Sequence, residues 1–157
     1  MIRQGTPHDA EGVARVQVRT WQAAYAGVLP GDGLSRMSVD RAAEQWRRWP
    51  PIVAEEDGEV MGFVSVGPSR DDDADGELLA IYVAPGRWGT GVGRALIEAA
   101  EVRLRELGHR DVILWVLEEN PRACRFYEAA GWHADGGRRP IEVFGVSVPE
   151  IRYRKQL

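Results

Sequence analysis

Apolar positions along the chain recur with two periods, and the changes of period mark its elements. Residues 2–4 read as a short strand, and Thr6-Pro7 then sets a capping hydroxyl ahead of a proline suited to a first helical turn. A helix over 7–26 follows. Its apolar positions fall on two faces, with Val13, Val16, Thr20 and Ala24 on one and Ala14, Val18, Trp21 and Tyr25 on the other. Two such faces predict core on one side and a partner or cleft on the other. Residues 27–33, with Pro30, read as a loop, and 39–49 as a second helix ended by Pro50-Pro51. The β-rich runs 52–55 and 60–66 are joined by Asp57-Gly58, a dipeptide typical of a tight hairpin turn. Residues 68–76 are polar and acidic, which predicts an exposed connection.

The next stretch, ELLAIYV over 77–83, reads as a strand that runs straight into a glycine-rich turn. A helix over 91–107 follows, with Leu96, Ala100, Leu104 and Leu107 on one face and Gly108 as its stop. Residues 112–117 are apolar at nearly every position, the pattern of a strand buried on both faces. Asn120-Pro121 then starts a helix with Ala123, Phe126, Tyr127 and Ala130 on one face and Gly131 at its end. Residues 132–157 read as two more strands. The predicted order is β-α-α-β-β-β-α-β-α-β-β, an α/β fold whose mixed sheet has antiparallel ends and a βαβ centre, in one domain over 1–157.

Composition narrows the function classes. A length of 157 residues, 44% apolar and 28% charged, fits a single domain large enough to bury a core without disulfides or a structural metal. The single Cys124 cannot staple its own chain, which favours a reducing compartment and a cytoplasmic location. No apolar run of about 18 residues is present, so no membrane association is expected. A net charge of −4 has the wrong sign for holding a phosphate backbone, so no nucleic-acid partner is expected either.

The strand, the turn Gly89-Thr90-Gly91-Val92-Gly93 and the following helix form a phosphate cradle in physical terms. Glycines let backbone N–H groups turn toward an anion, and a helix N-terminus adds about half a positive charge. A nucleoside triphosphate loop has a lysine and a hydroxyl where this chain has Val92 and Gly93. A dinucleotide loop has glycine where this chain has Arg94, although Glu118 could stand in for the ribose-binding acid. Too few residues follow position 119 for the second half of a doubly wound sheet. A third phosphate ligand, the pyrophosphate of coenzyme A, competes with these two.

The stretch IYVAPGRWGTGVGRAL, residues 81–96, resembles the central motif of the GNAT superfamily of N-acetyltransferases: a strand, a proline, a loop Arg/Gln-x-x-Gly-x-Gly/Ala and a helix. LEENPRACRFYEAAGW, residues 117–132, resembles the family's second mark, an asparagine at a strand end followed by Ala, Phe-Tyr-Glu and Gly-aromatic. WQAAYAGVLP, residues 21–30, is similar to the opening of family members. One departure stands out: Trp88 occupies the place of the loop's Arg or Gln, with Arg87 one position earlier. The loop would bind chiefly through main-chain amides, and Arg87 or Arg94 could supply the missing guanidinium.

The resemblance implies a GNAT-like fold in which a central parallel strand pair splays and holds the pantetheine arm of acetyl-CoA. The cofactor-binding residues it implies are Ile81, Tyr82, Val83, Trp88, Gly89, Thr90, Gly91, Val92, Gly93, Arg94, Asn120 and Ala123. The arm would pair with the main chain of Ile81 and Val83, and the Val83 N–H would support the developing oxyanion. Attack needs a neutral amine, which makes a carboxylate or an ordered water useful; Glu77 is the candidate base, or else an exposed strand-end carboxylate. Tyr127 is the candidate acid for the leaving thiolate, or a core aromatic beside Phe126. Asn120 could bind cofactor, cap its helix or do both. Trp21 and Tyr25 line an acceptor pocket or pack between helix and sheet.

The implied reaction is direct acetyl transfer from acetyl-CoA to the primary amine of a small molecule or peptide. A catalytically silent acyl-CoA-binding module is the alternative. A homodimer is compatible with the resemblance. Asp71, Asp73, Asp75 and Gly76 copy half of a calcium loop, but Tyr82 stands where the bidentate Glu is required. His8, His109 and His133 show no ligand spacing with Cys124, so no metal is expected, and Cys124 has no histidine partner that would make it a nucleophile.

Overall fold

A computed structural model describes all 157 residues. Along the chain run β1 (Ile2–Gln4), α1 (Ala10–Ala24), α2 (Gly31–Ser35), α3 (Val39–Arg48), β2 (Ile52–Glu56), β3 (Glu59–Pro68), β4 (Gly76–Val83), α4 (Val92–Glu106), β5 (Asp111–Leu117), α5 (Pro121–Ala129), β6 (His133–Val143) and β7 (Val146–Gln156). The strands form one sheet in the order β1-β2-β3-β4-β5-β7-β6, parallel only between β4 and β5. The predicted mixed sheet and βαβ centre are therefore present. Two local differences concern the first half. The helix expected over 7–26 begins as a 3-10 turn, Pro7–Asp9, and the loop expected over 27–33 gives way at Gly31 to α2. Five residues are too few to show a helical period, and α2 is held by tertiary contacts, with Leu34 buried and its carbonyl accepting from Gln22 Nε2 at 2.9 Å.

Helices cover both faces of the sheet. Val13, Ala14 and Val16 of α1 pack with Ala43 and Trp46 of α3 on one face, against Val53 and Phe63. On the other face Leu96, Ile97, Ala100 and Leu104 of α4 meet Val64, Leu78, Val112 and Leu114. The expected division of α1 into a core face and a cleft face is not what forms. The split runs along the axis, because Val13, Ala14 and Val16 of the N-terminal half, drawn from both faces, are core, while Thr20, Trp21, Ala24 and Tyr25 at the C-terminal end, again from both faces, border a cleft. No helix is long and apolar enough to cross a membrane.

Two hairpins have the same turn geometry. Asp57 and Gly58 between β2 and β3 have φ of 51° and 80°, and Phe144 and Gly145 between β6 and β7 have 51° and 79°. Positive φ at both central positions matches the right-handed twist of the strands. The acidic connection is exposed as expected, yet it is not simply solvated. Asp71 accepts from Trp115 Nε1 at 3.0 Å and Arg152 at 3.0 Å, and Asp73 pairs with Arg152 and Arg154, tying the loop to β7.

The feature that positions the site is a split in the sheet. β4 pairs with β5 only at Gly76–Val112 and Glu77–Ile113. Beyond that point β4 stays with β3 as far as Gly62–Val83, while β5 stays with β7 as far as Leu117–Glu150. Ser65 faces Ala80 and Val66 faces Leu78, which leaves Leu79 as an extra residue in a bulge where the strands part. A bulge bends its strand and sharpens the local twist, and here it turns β4 away from β5.

Candidate active site

The wedge between β4 and β5 opens into a cavity of about 510 Å3. Its inner wall is main chain. The Ala84 N–H donates to Met61 O at 2.8 Å, and antiparallel amides alternate between facing their neighbour and facing away. The Tyr82 amide therefore faces β3, whereas Ile81 and Val83 turn their N–H groups toward the side that β5 has left. The outward Val83 carbonyl is already engaged, by Thr20 Oγ1 at 3.2 Å and Trp88 Nε1 at 2.8 Å.

At the C-terminal end of β4 the chain makes the glycine turn into α4. Gly89 and Gly91 have φ of 76° and 92°, and no atom lies within 4 Å of where their Cβ atoms would be. Glycine is needed there for backbone conformation, not for space. Gly91 is also the N-cap of α4, so the free amides of the first helical turn point out of the same turn. Three arginines, Arg87, Arg94 and Arg122, line the cavity. Arg87 pairs with Glu56 at 2.9 Å and Arg94 with Glu98 at 3.1 Å, both at the surface. Arg122 instead lies flat over the Trp88 ring, 3.4 Å from its centre, and partial burial lowers its pKa. Trp88 thus anchors the end of β4 with its ring nitrogen and seats a guanidinium from α5 on its face.

α5 delivers the next groups. Asn120 Oδ1 accepts from the Ala123 N–H at 3.2 Å, and its Nδ2 donates to the Tyr25 hydroxyl at 3.2 Å. The expected cap is present, and the amide also ties α5 to α1. Two turns after Asn120, Tyr127 is 7% exposed and lines the cavity. Burial, with the hydroxyls of Tyr82 and Tyr25 nearby, pushes its phenol well above the ordinary value, so it keeps its proton through the neutral range and is a weaker acid than a free phenol.

The far end of the cavity is aromatic. Trp21 and Tyr25 meet edge to face at 5.1 Å between centroids, and Tyr82, Trp115 and Ile141 complete the wall with Glu150. The Trp21 indole N–H is buried beside the Tyr82 hydroxyl but outside hydrogen-bond geometry. No group of three or more His, Cys, Asp or Glu side chains converges as a metal set would.

With this geometry in place, the sequence profile of the acetyltransferase (GNAT) family matches residues 17–132. The chain belongs to the GNAT family. Among its relatives this GNAT chain is similar to the uncharacterized N-acetyltransferase YuaI of Bacillus subtilis strain 168, with 32% identity over 134 residues, 82% of this chain and 77% of YuaI. Its fold matches the crystal structure of PaiA N-acetyltransferase from Thermoplasma acidophilum in complex with coenzyme A, at a TM-score of 0.77 and 18% identity over 100% of this chain and 98% of that one. It also matches YncA, a putative acetyltransferase from Salmonella typhimurium with its cofactor acetyl-CoA, at a TM-score of 0.73 and 21% identity over 99% and 92%.

Most residues expected at the GNAT site converge. Ile81, Tyr82, Val83, Trp88, Gly89, Gly91, Gly93, Arg94, Asn120, Ala123, Tyr127, Trp21 and Tyr25 all line the cavity. Thr90 and Val92 do not: Thr90 turns its hydroxyl back to the Arg87 carbonyl, and Val92 packs against the core. Glu77 also lies elsewhere. It is neither exposed nor in the cavity, but 1% exposed and bonded by the backbone and guanidinium of Arg70. The cause is register, because Glu77 belongs to the short stretch where β4 and β5 still pair. Arg122, Trp115 and Glu150 were not expected. Arg122 stands in the first turn of a helix that was recognised and could have been placed beside the glycine loop, whereas nothing in the local sequence around Glu150 marks it.

Proposed function

We propose that the chain transfers an acetyl group from acetyl-CoA to a primary amine by direct attack within a ternary complex. The observation that carries this reading is the strip of unpaired β4 amides running from the glycine turn into an open-mouthed, largely apolar cavity. A pantetheine arm is an amide-bearing chain of matching character, and a strand edge with free N–H groups is what it can pair with. When bound, acetyl-CoA supplies a thioester carbonyl open to attack and a thiolate leaving group.

The chain's own residues divide the work. Amides of Gly89–Gly93 and the first turn of α4, with Arg87, Arg94 and Arg122, hold the diphosphate. The Ile81 and Val83 amides fix the arm, and an amide aimed at the carbonyl oxygen contributes about 3 to 4 kcal/mol to barrier lowering. Tyr127 holds a proton ready for the thiolate sulfur. With Glu77 sealed under Arg70, no side chain of β4 takes the amine's proton, and water at the open mouth of the cavity serves. That same withdrawal of Glu77 favours, as second reading, a silent acyl-CoA-binding module.

Thiol release from acetyl-CoA across a panel of amines, with Tyr127→Phe beside the parent chain, separates the two. An enzyme loses about 10²-fold or more in kcat, the usual scale for a positioned acid, and keeps its affinity for coenzyme A. Because burial raises the Tyr127 phenol, no alkaline loss of activity below pH 10 stems from it. A parent chain that binds coenzyme A but releases no thiol with any amine refutes the enzymatic reading.

A further inference from the structure

The formal charges lining the cavity are segregated. Arg87 and Arg94 flank the glycine turn in sequence and Arg122 lies over Trp88, while the single carboxylate, Glu150, belongs to the aromatic end. Glu150 sits on β7 opposite Leu117, beyond the point where β4 and β5 part, and its side chain is 14% exposed. Arg139 Nε donates to its Oε1 at 2.9 Å, while Oε2 has no partner within the chain. The Arg139 guanidinium also lies over Trp115, 4.0 Å from the ring centre. The second oxygen is not sealed from solvent, and although the charge of Arg70 also reaches Glu150, that oxygen is left for a donor that enters the cavity. The charge of Glu150 reaches the Tyr25 and Tyr82 hydroxyls, whose pKa it helps to raise, so the wall beside it presents neutral aromatic rings. Aromatic faces and an unpaired carboxylate oxygen together favour a cation.

We propose that Glu150 anchors the acceptor through a positive charge that the acceptor carries in addition to its reacting amine, so that the substrates are small dicationic amines. The reacting nitrogen must be uncharged when it attacks, so the cation held at Glu150 is a second group on the same molecule. Glu150 is then a positioning residue: it sets which nitrogen reaches the thioester and takes no part in bond making. The inference rests on the proposed amine acetylation and deepens it by naming the acceptor class.

Three acceptors of one length test it: 1,4-diaminobutane, butylamine and 4-aminobutanoate, with saturating acetyl-CoA and thiol release as the readout. The parent chain should prefer the diamine over butylamine by tenfold or more in kcat/KM and use the amino acid least. Glu150→Gln should raise KM for the diamine about tenfold, with kcat moving less than KM, and erase its advantage over butylamine, while KM for acetyl-CoA is unchanged. Arg139→Gln leaves Glu150 without its internal partner and should keep or enlarge the diamine preference, an outcome that a merely structural ion pair does not give. A Glu150→Gln chain that retains the preference, or a parent chain that favours 4-aminobutanoate, overturns the assignment while leaving amine acetylation intact. Coenzyme A binding with no turnover of any amine removes the proposed function itself, and this inference with it.

Discussion

Gly86 and Gly91 flank the same turn, and neither has an atom within 4 Å of its would-be Cβ, so replacing either with Ala introduces no clash. They differ in backbone alone. Gly91 has φ of 92°, whereas Gly86, in the 3-10 turn Pro85–Arg87, has no positive φ. An L-residue forced into the left-handed region costs about 1–2 kcal/mol. Loss of glycine's freedom in the unfolded chain returns about 0.4–1 kcal/mol at both positions. Gly86→Ala should therefore be neutral to slightly stabilising and Gly91→Ala destabilising, with a gap of about 1–2 kcal/mol between them, the left-handed penalty itself. For a domain of this size that gap corresponds to roughly 2–8 °C in Tm.

Thermal unfolding of both variants, with and without coenzyme A, reads the gap and its functional consequence together. A ligand at 100 times its Kd adds about 2.7 kcal/mol to the stability of the form that binds it. If Gly91→Ala gives up the left-handed turn to escape the strain, the amides of α4 no longer converge, and its coenzyme A shift shrinks below that of Gly86→Ala. Equal melting temperatures together with equal ligand shifts would refute the claim that a left-handed Gly91 builds the cradle.

Two more expectations follow from geometry outside the cradle. Arg3 grips Asp9 with two bonds, at 2.8 and 2.9 Å, and chiefly for that reason the Asp9 carboxyl drops from 3.8 to about 2. A lowered carboxyl pKa gives stability that is present above the unfolded value and lost as pH falls through the folded one. Chemical denaturation should therefore show stability declining from about pH 4 toward pH 2, and Asp9→Asn should flatten that decline; an unchanged acid limb contradicts the assignment. At Gly33 an added Cβ would lie 2.2 Å from Phe144 Cγ, so Gly33→Ala must push the β6–β7 tip outward. Overpacking of this kind costs about 1–3 kcal/mol. Because Ile141 and Glu150 ride on that hairpin, KM for the acceptor should rise several-fold while coenzyme A affinity holds; the reverse pattern in steady-state kinetics and calorimetry would contradict it.

What could be read from sequence divides by the range of the interaction responsible. Asp57-Gly58 was legible because both residues tolerate positive φ by their own chemistry. The matching turn at Phe144-Gly145 was not, since phenylalanine has no such preference. Phe144 is kept there by what it meets: the Gly33 backbone and the Trp21 ring, 6.4 Å away edge to face. Glycine turns, caps and the apolar face of α4 are local and were readable, as were Tyr127 and the amides of Ile81 and Val83 through family resemblance. Glu77 misled because a strand's sequence does not say where its partner leaves it. Two residues decide the matter: pairing with β5 ends at Glu77, so the wedge opens beyond the carboxylate and not beneath it. Glu150 was invisible for the converse reason, being brought to the cavity by a strand that lies outside both motifs and follows them only after β6.

Trp88 shows how a departure from the family's loop pattern can be absorbed. A parted sheet leaves main-chain groups without partners, and each buried one is destabilising unless something else engages it. At the end of β4 the Val83 N–H must stay free if it is to meet an acyl-CoA arm, so stabilisation has to come through the carbonyl of the same residue. The Trp88 ring nitrogen provides it at 2.8 Å, joined by Thr20 from α1. An arginine at position 88 would offer its charge to the loop but would lack a broad flat face, and that face is what holds the Arg122 guanidinium beside the turn. Trp88 thus braces the strand through its ring nitrogen while its face carries a guanidinium from α5, so one aromatic ring joins the end of β4 to the helix that follows β5.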